Sequence, residues 1–438
     1  MAVHSTVFPC TFGRMVKGYL MGLTWFLAGI SAEAQDIVYD DAVYDDNIQS
    51  VQLYRGDDRL TPPLVGLNSD LPLILRFDDM SGGSATYSWT LLLCDYDWKP
   101  VAWPQNFYLS GLLREDITDF SFSFGSPLPY TTYRAAIPSE NVRPLFSGNY
   151  VVYVFKNFDF HTPVLTRRLW IVENLVEPQG FVKDAGGGAL YGKGQDVMFT
   201  LNVAALGQVN PFTDVAVSVY QNFRRDNARH NLKPIFINGT TMDFNLIDGS
   251  NTFPGWNEFR LLDLRTLNIR PTRALSVTTD DRGLKQVVMA TDSSRTGKPH
   301  TLYADLNGLG KVITLDGRDP DTDGLYAKVS LRLAASQPPD VTGPVYLVGP
   351  WSSLDIRPDF QMRYNPEDNT YSIHLLLKQG VYPYLFVTGP NTASVPWIYE
   401  GSHARTDNTY LILVYFKDPV RRIHRIVGFK LLNSLRDR

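Results

Sequence analysis

The fold class of this chain is decided by residues 345–387, which read VYLVGPWSSLDIRPDFQMRYNPEDNTYSIHLLLKQGVYPYLFV. An apolar run, a Trp at a bend and an Asn-Pro-Glu-Asp-Asn turn come first. A second apolar run follows, and Gly380 separates it from a strand rich in Tyr and Phe. Short apolar runs bounded by Gly, Pro, Asn and Asp predict consecutive antiparallel β-strands. The stretch therefore predicts a β-sandwich module and not an enzyme core.

The N-terminal third of the chain carries more runs of this kind. They cover residues 50–55, 71–77, 86–94, 120–124, 132–137, 150–155 and 168–173. About seven strands make one immunoglobulin-like sandwich of roughly 100 residues. The chain has 438 residues, which leaves room for three or four such domains. We predict an all-β chain of tandem immunoglobulin-like β-sandwich domains.

Composition divides the chain into a leader, three sandwich domains and two linkers. Arg14 and Lys17, an apolar run at 18–30 and an Ala-x-Ala site ending at Ala34 predict a secretory signal peptide. The predicted division is a signal peptide at 1–34, a first β-sandwich domain at 35–175, a Gly-rich linker at 176–194, a second β-sandwich domain at 195–312, an acidic linker at 313–324 and a third β-sandwich domain, resembling carbohydrate-binding modules, at 325–438. Cleavage of the leader would leave Cys94 as the only cysteine. Export without a possible intramolecular disulfide favours a bacterial periplasm.

The acidic linker contains a D-x-D-x-D-G pattern at residues 319–324. Carboxylates at alternate positions before a Gly are how an EF-hand calcium loop begins. The position that should supply a bidentate Glu is Ser330, and no helix pattern flanks the loop. The sequence therefore favours a solvated acidic linker over a calcium site.

Charge and motif content exclude several function classes. The formal net charge of −4 supplies no basic field for nucleic acid or anionic lipid. The seven His are scattered singly, the phosphate-binding G-x-x-x-x-G-K-[ST] pattern and the G-x-S-x-G pattern are absent, and Cys94 lies inside an apolar run. We predict no catalytic residue, no cofactor-binding residue and no metal ligand, and hence a protein that is not an enzyme.

Two groups of residues are candidates for a functional surface. An insert at residues 95–119 carries the aromatic side chains Trp98, Trp103, Phe107 and Tyr108. Such an insert either folds down as a lid on its own sandwich or is presented to a partner protein. The second group contains Arg224, Arg225, Asp226, Glu258 and Arg260. For these side chains, a buried salt-bridge network is favoured over a docking patch.

Short motifs along the whole chain resemble one family, the plug protein of the Bacteroidetes type IX secretion system. The matching residues are Pro62-Pro63 with Leu67, Leu75-Arg76-Phe77-Asp78-Asp79, Cys94-Asp95-Tyr96-Asp97-Trp98, Ser147-Gly148-Asn149-Tyr150, Gln221-Asn222, Asn257-Glu258-Phe259-Arg260, Asp305-Leu306-Asn307-Gly308, Leu377-Lys378-Gln379-Gly380, and Glu400-Gly401 with Thr406-Asp407-Asn408. Each motif is weak alone, but their order along the chain is specific.

The resemblance implies a periplasmic protein that docks on the periplasmic opening of a large outer-membrane β-barrel translocon and closes it. It implies membrane contact only through that protein partner, no small-molecule substrate and no nucleic acid. We expect Trp98, Trp103, Phe107 and Tyr108 to form one contact surface. The alternative is a periplasmic glycan-binding protein that uses Trp351, Tyr382, Tyr384 and Trp397 as a sugar-stacking platform.

Overall fold

The computed structural model of the protein describes residues 37–337, 339–389 and 395–438. The predicted signal peptide at 1–34 lies outside the described residues. Within them the chain is almost entirely β-structure, with a single short α-helix, α1 (Pro339–Thr342). This architecture confirms the predicted all-β fold.

The strands fall into three consecutive groups. The first group is β1 (Ala42–Val43), β2 (Ile48–Arg55), β3 (Leu64–Gly66), β4 (Leu73–Asp79), β5 (Tyr87–Cys94), β6 (Leu109–Gly111), β7 (Glu115–Asp116), β8 (Asp119–Phe122), β9 (Thr131–Ile137), β10 (Val142–Pro144), β11 (Gly148–Lys156) and β12 (Pro163–Val172). The second group is β13 (Gln179–Asp184), β14 (Gly194–Asn202), β15 (Val215–Gln221), β16 (Arg229–Leu232), β17 (Phe236–Asn238), β18 (Thr241–Asp243) and β19 (Thr252–Pro254). The third group is β20 (Arg260–Asp263), β21 (Ala274–Thr279), β22 (Lys285–Met289), β23 (Lys311–Val312), β24 (Tyr326–Ala334), β25 (Val345–Val348), β26 (Arg363–Asn365), β27 (Thr370–Lys378), β28 (Gly380–Thr388), β29 (Thr409–Lys417) and β30 (His424–Asn433). Short 3-10 helices lie at Gln105–Phe107, Gly188–Leu190, Ala204–Leu206, Leu306–Gly308, Pro350–Ser352 and Pro358–Phe360.

The first sandwich packs the sheet β2-β4-β9-β8 against strands β12-β11-β5-β7 of a ten-stranded sheet. Each of the seven apolar runs predicted in this region overlaps a strand. Aromatic rings fill the core: Tyr133 stacks on Phe77 with ring centroids 5.2 Å apart, and Tyr87 meets Tyr133 edge-on at 4.8 Å. The alternation of the sequence thus places the large rings on the inner faces, where they are removed from water.

The second sandwich packs β13-β14-β18-β17, with β19 attached, against the other part of the ten-stranded sheet, β16-β15-β29-β30. The last two strands of the chain therefore complete this sandwich, with Ile412 and Val414 buried against Phe199 and Phe253. The predicted domain boundaries remain a prediction. The ten-stranded sheet contains strands from all three of the predicted domains.

The third sandwich packs β21-β22-β24-β27-β26 against β28, which carries β20, β23 and β25. The opening stretch supplies strands to both sheets: β26 pairs with β27, and β25 pairs with β28. The consecutive strands β27 and β28 do not pair with each other, unlike the consecutive antiparallel pairing expected from the sequence. The chain crosses between sheets at the fully buried Gln379, whose N–H donates to the Leu325 carbonyl at 2.9 Å.

A shared sheet and a shared core join the three sandwiches. Strands β12 and β30 meet in parallel at Val172 and Ile426, which makes the ten-stranded sheet continuous between the first two sandwiches. On the other side of that sheet, one further apolar cluster draws Trp170, Tyr220 and Leu354 from the three sandwiches together. Because both elements are common to neighbouring sandwiches, residues 35–438 form one packed unit.

Candidate functional site

A buried ion pair joins the first and third sandwiches. Lys378 Nζ, at the end of β27, donates to Asp78 Oδ2 on β4 at 2.7 Å, and the Tyr326 hydroxyl donates to the same oxygen at 2.6 Å. The Lys378 and Asp78 side chains are 2% and 4% exposed. Burial lowers the pKa of Lys378, and the opposing charge of Asp78 counteracts that effect. The ammonium group also lies 4.0 Å from the ring centroid of Tyr130.

The acidic segment at 313–324 docks on the first sandwich beside this pair. Asp321 forms ion pairs with Arg59 at 2.6 Å and Arg76 at 3.1 Å. The Tyr130 hydroxyl donates to the Gly324 carbonyl at 2.9 Å. Asp321 is thus an ion-pair partner of the first sandwich and not a solvated linker residue. Across residues 37–337, 339–389 and 395–438, no group of three or more His, Cys, Asp or Glu side chains is arranged to hold a metal ion.

Tyr96 joins the first and second sandwiches. Its hydroxyl lies 2.9 Å from Ser218 Oγ on β15, and its ring meets Tyr415 edge-on at 4.7 Å. The Tyr415 hydroxyl donates in turn to Asn149 Oδ1 at 3.0 Å. Nearby Cys94 is 1% exposed, and burial raises its pKa to about 12, which confirms the prediction of a core residue.

Glu400 is the centre of a buried ionic network within the third sandwich. Its fully buried carboxylate accepts from Arg260 Nε at 3.1 Å, from Arg295 Nε at 2.7 Å and from the Phe386 N–H at 2.9 Å. Arg260 Nη1 also donates to Asp292 Oδ1 at 2.8 Å. The attraction of the two guanidinium groups outweighs burial, so the pKa of Glu400 is lowered.

The charged residues that were predicted to form one salt-bridge cluster are buried in polar contacts, but they pair with different partners. Arg224 pairs with Asp226 at 2.6 Å, whereas Arg225 reaches Asp41 near the start of the described chain at 2.8 Å. Glu258 contacts neither of them and lies against a pair of histidines.

Glu258 is a buried carboxyl group without a cationic partner. Its Oε1 lies 2.9 Å from His300 Nε2, and the His300 ring stacks on His403 with centroids 4.9 Å apart. Its side chain is fully buried, and Oε2 has no hydrogen-bond partner among the described residues. Burial, followed by the charges of Asp305 and Asp407, raises the pKa of Glu258 to about 8. Burial likewise lowers the pKa of His300, which keeps this imidazole neutral at neutral pH.

Because the pKa of Glu258 is raised, we expect the folded protein to become less stable as the pH rises above neutral. Its folded pKa of about 8 lies above the ordinary value of 4.5. Folding therefore favours the protonated form, and the resulting stability is lost as the pH rises through about 8. Above about pH 7 the histidines are neutral in both states and contribute no slope. We expect the free energy of unfolding in urea to fall between about pH 7 and pH 8, below the ordinary pKa of the buried Cys94 thiol, and the Glu258→Gln variant to remove that fall.

The exposed carboxylate Glu177 provides the matched control for this experiment. Its side chain is 59% exposed, and the partner of its surface ion pair is Lys430. The Glu177→Gln variant should therefore keep the slope of the wild type. A Glu258→Gln variant with the wild-type slope would show that another group titrates.

Sequence reasoning missed these pairings because the partners are far apart along the chain. Asp78 and Lys378 are separated by 300 residues, and Arg260 and Glu400 by 140. One signal was present: all four residues, together with Tyr96 and Glu258, belong to the motifs that carry the family resemblance. The motifs that contain Asp78, Tyr96 and Lys378 thus lie where sandwiches meet, and those that contain Arg260 and Glu400 form a network within the third sandwich.

Comparison with known protein families gives a match that covers the first sandwich. Residues 48–173, which span the first sandwich, match the model of the type 9 secretion system plug protein first domain. The first sandwich is thus similar to the first domain of the plug protein family. The match confirms the resemblance found along the sequence and supports a role in type 9 secretion. The plug family is a component of a secretion system and not a known enzyme family.

A solved structure is similar in fold to most of this chain. A crystal structure of a hypothetical protein from Parabacteroides merdae is 26% identical, with a TM-score of 0.86, and the alignment covers 91% of this chain and 100% of that one. The serine-rich repeat adhesion glycoprotein Srr1 from Streptococcus agalactiae, at 10% identity, covers 88% of this chain and 96% of its own, but its TM-score of 0.12 carries no argument. Among curated proteins, none matches the chain.

The aromatic insert of the first sandwich is partly a lid and partly exposed. Tyr108 is 3% exposed in the first core, where burial raises its pKa to about 12. Trp98 is half-buried under the Arg168 guanidinium, 4.4 Å from its ring centroid. Trp103 is half-buried, and its ring centroid lies 6.4 Å from that of Phe107, which is 59% exposed. Only Trp103 and Phe107 are thus available together on a surface, and contact of the insert with a partner remains a prediction.

The four rings of the alternative glycan platform do not share a surface. Tyr382 and Tyr384 are 7% and 1% exposed in the third core. Trp351 packs on Tyr382, and Trp397 packs on Trp256. Stacking of a sugar ring needs an exposed aromatic face, which the two tyrosines do not offer.

No helix among the described residues has the length and apolar character needed to span a bilayer.

Proposed function

We propose that the protein, after cleavage of residues 1–34, acts in the periplasm by docking on the periplasmic opening of the outer-membrane translocon barrel of the type IX system and plugging it. The match of residues 48–173 to the plug family carries this proposal. A plug has to block passage without chemistry, which agrees with the absence of catalytic motifs from the sequence.

The joints between the sandwiches support this function through rigidity. Interfaces between ordinary domains are small and polar, so relative domain motion is the usual expectation. Here a continuous sheet, the Asp78–Lys378 pair and the apolar cluster around Trp170, Tyr220 and Leu354 hold the sandwiches as one packed unit. A rigid body loses little conformational entropy when it docks and keeps its shape while it closes an opening.

The insert of the first sandwich offers a contact point for the barrel. Phe107 is 59% exposed, and Leu145, whose N–H donates to the Tyr108 carbonyl, is 46% exposed. Together with Trp103 they form an apolar patch, which we name the insert patch. Exposed aromatic anchors of this kind contribute most of the binding energy in protein interfaces.

The experiment is an affinity pull-down with the chain from Gln35 onward against a detergent extract of the native outer membrane. We expect one very large β-barrel to be recovered. The Phe107→Ser variant should reduce its recovery by about tenfold or more, since truncating an interface anchor costs about 2 kcal/mol. Thermal unfolding would verify that the variant is folded.

Tyr191→Ser is the matched control, because Tyr191 is 72% exposed and lies outside the insert patch. Equal losses from both variants would show that the insert patch is not the contact. Failure of the wild-type chain to recover a barrel would contradict docking itself. The plugging step is tested by deleting the gene, which should admit a dye that the outer membrane normally excludes.

A further inference from the structure

The edge of the first sandwich at β8 is an open strand. Within the described chain, β8 pairs with β9 alone. The Ser123 N–H donates to the Tyr130 carbonyl at 2.8 Å, which sets the alternation of the antiparallel ladder. Residues of odd number on β8 therefore point their backbone groups at β9, and Phe120 and Phe122 point theirs away from the sheet.

At the C-terminal end of β8, the edge that faces away from β9 already forms one backbone hydrogen bond to another segment of the chain. The Phe124 N–H, the next that points away from β9, donates to the Thr322 carbonyl at 3.0 Å. Among the residues that the structure describes, none donates to or accepts from the outward backbone groups of Phe120 and Phe122, which are 40% and 58% exposed. Phe120 and Phe122 thus offer outward N–H and C=O groups on the same strand edge that already binds the backbone of Thr322 through Phe124.

The exposed side chains of Phe120 and Phe122 on β8 are apolar, whereas edge strands usually carry features that prevent pairing with another chain. The Phe120 and Phe122 rings lie 5.9 Å apart, and Phe120 lies 5.6 Å from the buried Tyr133, so the core aromatic cluster continues to the surface. Sheets commonly shield such edges with charges, proline or bulges. In β8 the only charged residue is Asp119 at its start.

We propose that the β8 edge binds an extended segment of a partner protein by β-strand addition. Unpaired N–H and C=O groups at alternate residues match the backbone of a strand, and the exposed rings of Phe120 and Phe122 match apolar side chains at every second position. Asp116 and Asp119 precede these rings, and the Asp119 side chain is 60% exposed, so a basic residue suits that end of the segment. The proposal rests on the function proposed above, because it takes the partner to be a component of the secretion machinery.

The first test uses the chain from Gln35 onward and a fluorescent peptide, KTVTVTVK, with KTPTPTPK as a peptide that cannot pair. Fluorescence anisotropy should show saturable binding of the first peptide only. Phe122→Pro should weaken it by about tenfold or more, because it removes both a ring and an outward N–H while leaving the ladder to β9 intact. Phe122→Thr, which keeps the N–H, should lose less. Phe124→Ser should bind as the wild type does, since the Phe124 N–H is already in use.

Hydrogen exchange then separates this inference from the docking function. In a complex recovered from outer membranes, the Phe120 and Phe122 amides should exchange more slowly than in the free chain. A recovered complex with unchanged exchange at these amides would overturn the edge proposal and leave docking standing. If no complex is recovered, the peptide experiment decides alone, and equal binding by wild type and Phe122→Pro overturns the proposal. Concentration-dependent dimerisation that Phe122→Pro abolishes would also overturn it, because the occupant would then be a second copy.

Discussion

Replacement of the buried Asp78 by Ala is expected to lower the free energy of unfolding by about 3–5 kcal/mol, the range measured when one partner of a buried ion pair is removed. The substitution leaves the Lys378 ammonium 2% exposed without its carboxylate, and the Tyr326 hydroxyl keeps only Ser50 Oγ at 2.7 Å as an acceptor. Because the pair joins two sandwiches, we expect the loss to reduce cooperativity as well. Urea unfolding followed by fluorescence would measure both effects.

A double variant distinguishes the destabilisation caused by one unpaired buried charge from the net contribution of the ion pair to the free energy of unfolding. Asp78→Leu combined with Lys378→Met replaces both charges by apolar side chains, and should recover most of the lost stability, since such replacements are often neutral or stabilising. Glu177→Gln, at the exposed ion pair with Lys430, should leave the free energy of unfolding close to that of the wild type. A single Asp78→Ala variant as stable as this surface control would show that the pair does not hold the joint.

Replacement of Glu400 by Ala is expected to have an effect of similar size, about 3–5 kcal/mol. Glu400 is fully buried and serves three donors, which belong to Arg260, Arg295 and the Phe386 backbone. Arg260 keeps its contact with Asp292, but the second guanidinium loses its only carboxylate among the described residues. Thermal and urea unfolding should both move in the same direction.

Glu400→Gln tests whether charge or shape matters in this buried network. The amide oxygen can still accept the Phe386 N–H, but the side chain no longer neutralises two guanidinium groups. We expect an intermediate loss of stability, because hydrogen bonds to a charged group contribute more than those to a neutral one. If Glu400→Gln were as stable as the wild type, the network would be held by hydrogen bonding and not by charge.

The local patterns of the sequence were enough to predict the strands. Alternation of apolar and polar residues is a property of a few neighbouring positions, and the runs at 50–55, 86–94 and 150–155 each became a strand. The same reasoning placed Cys94 in the core and identified residues 95–119 as an unusual insert. It left open whether each aromatic side chain in that insert is covered, because coverage depends on residues such as Arg168 that come from elsewhere in the chain.

The sequence alone was enough to predict the all-β class and to find the motifs that resemble the secretion-system plug family. Only the tertiary structure decided what those motifs do. Asp78 meets Lys378, and Arg260 meets Glu400, across 300 and 140 residues, and the last two strands return to complete the second sandwich. The physical reason is that strand formation is set by local periodicity, whereas partner choice in sheets and ion pairs is set by which distant surfaces can be buried together.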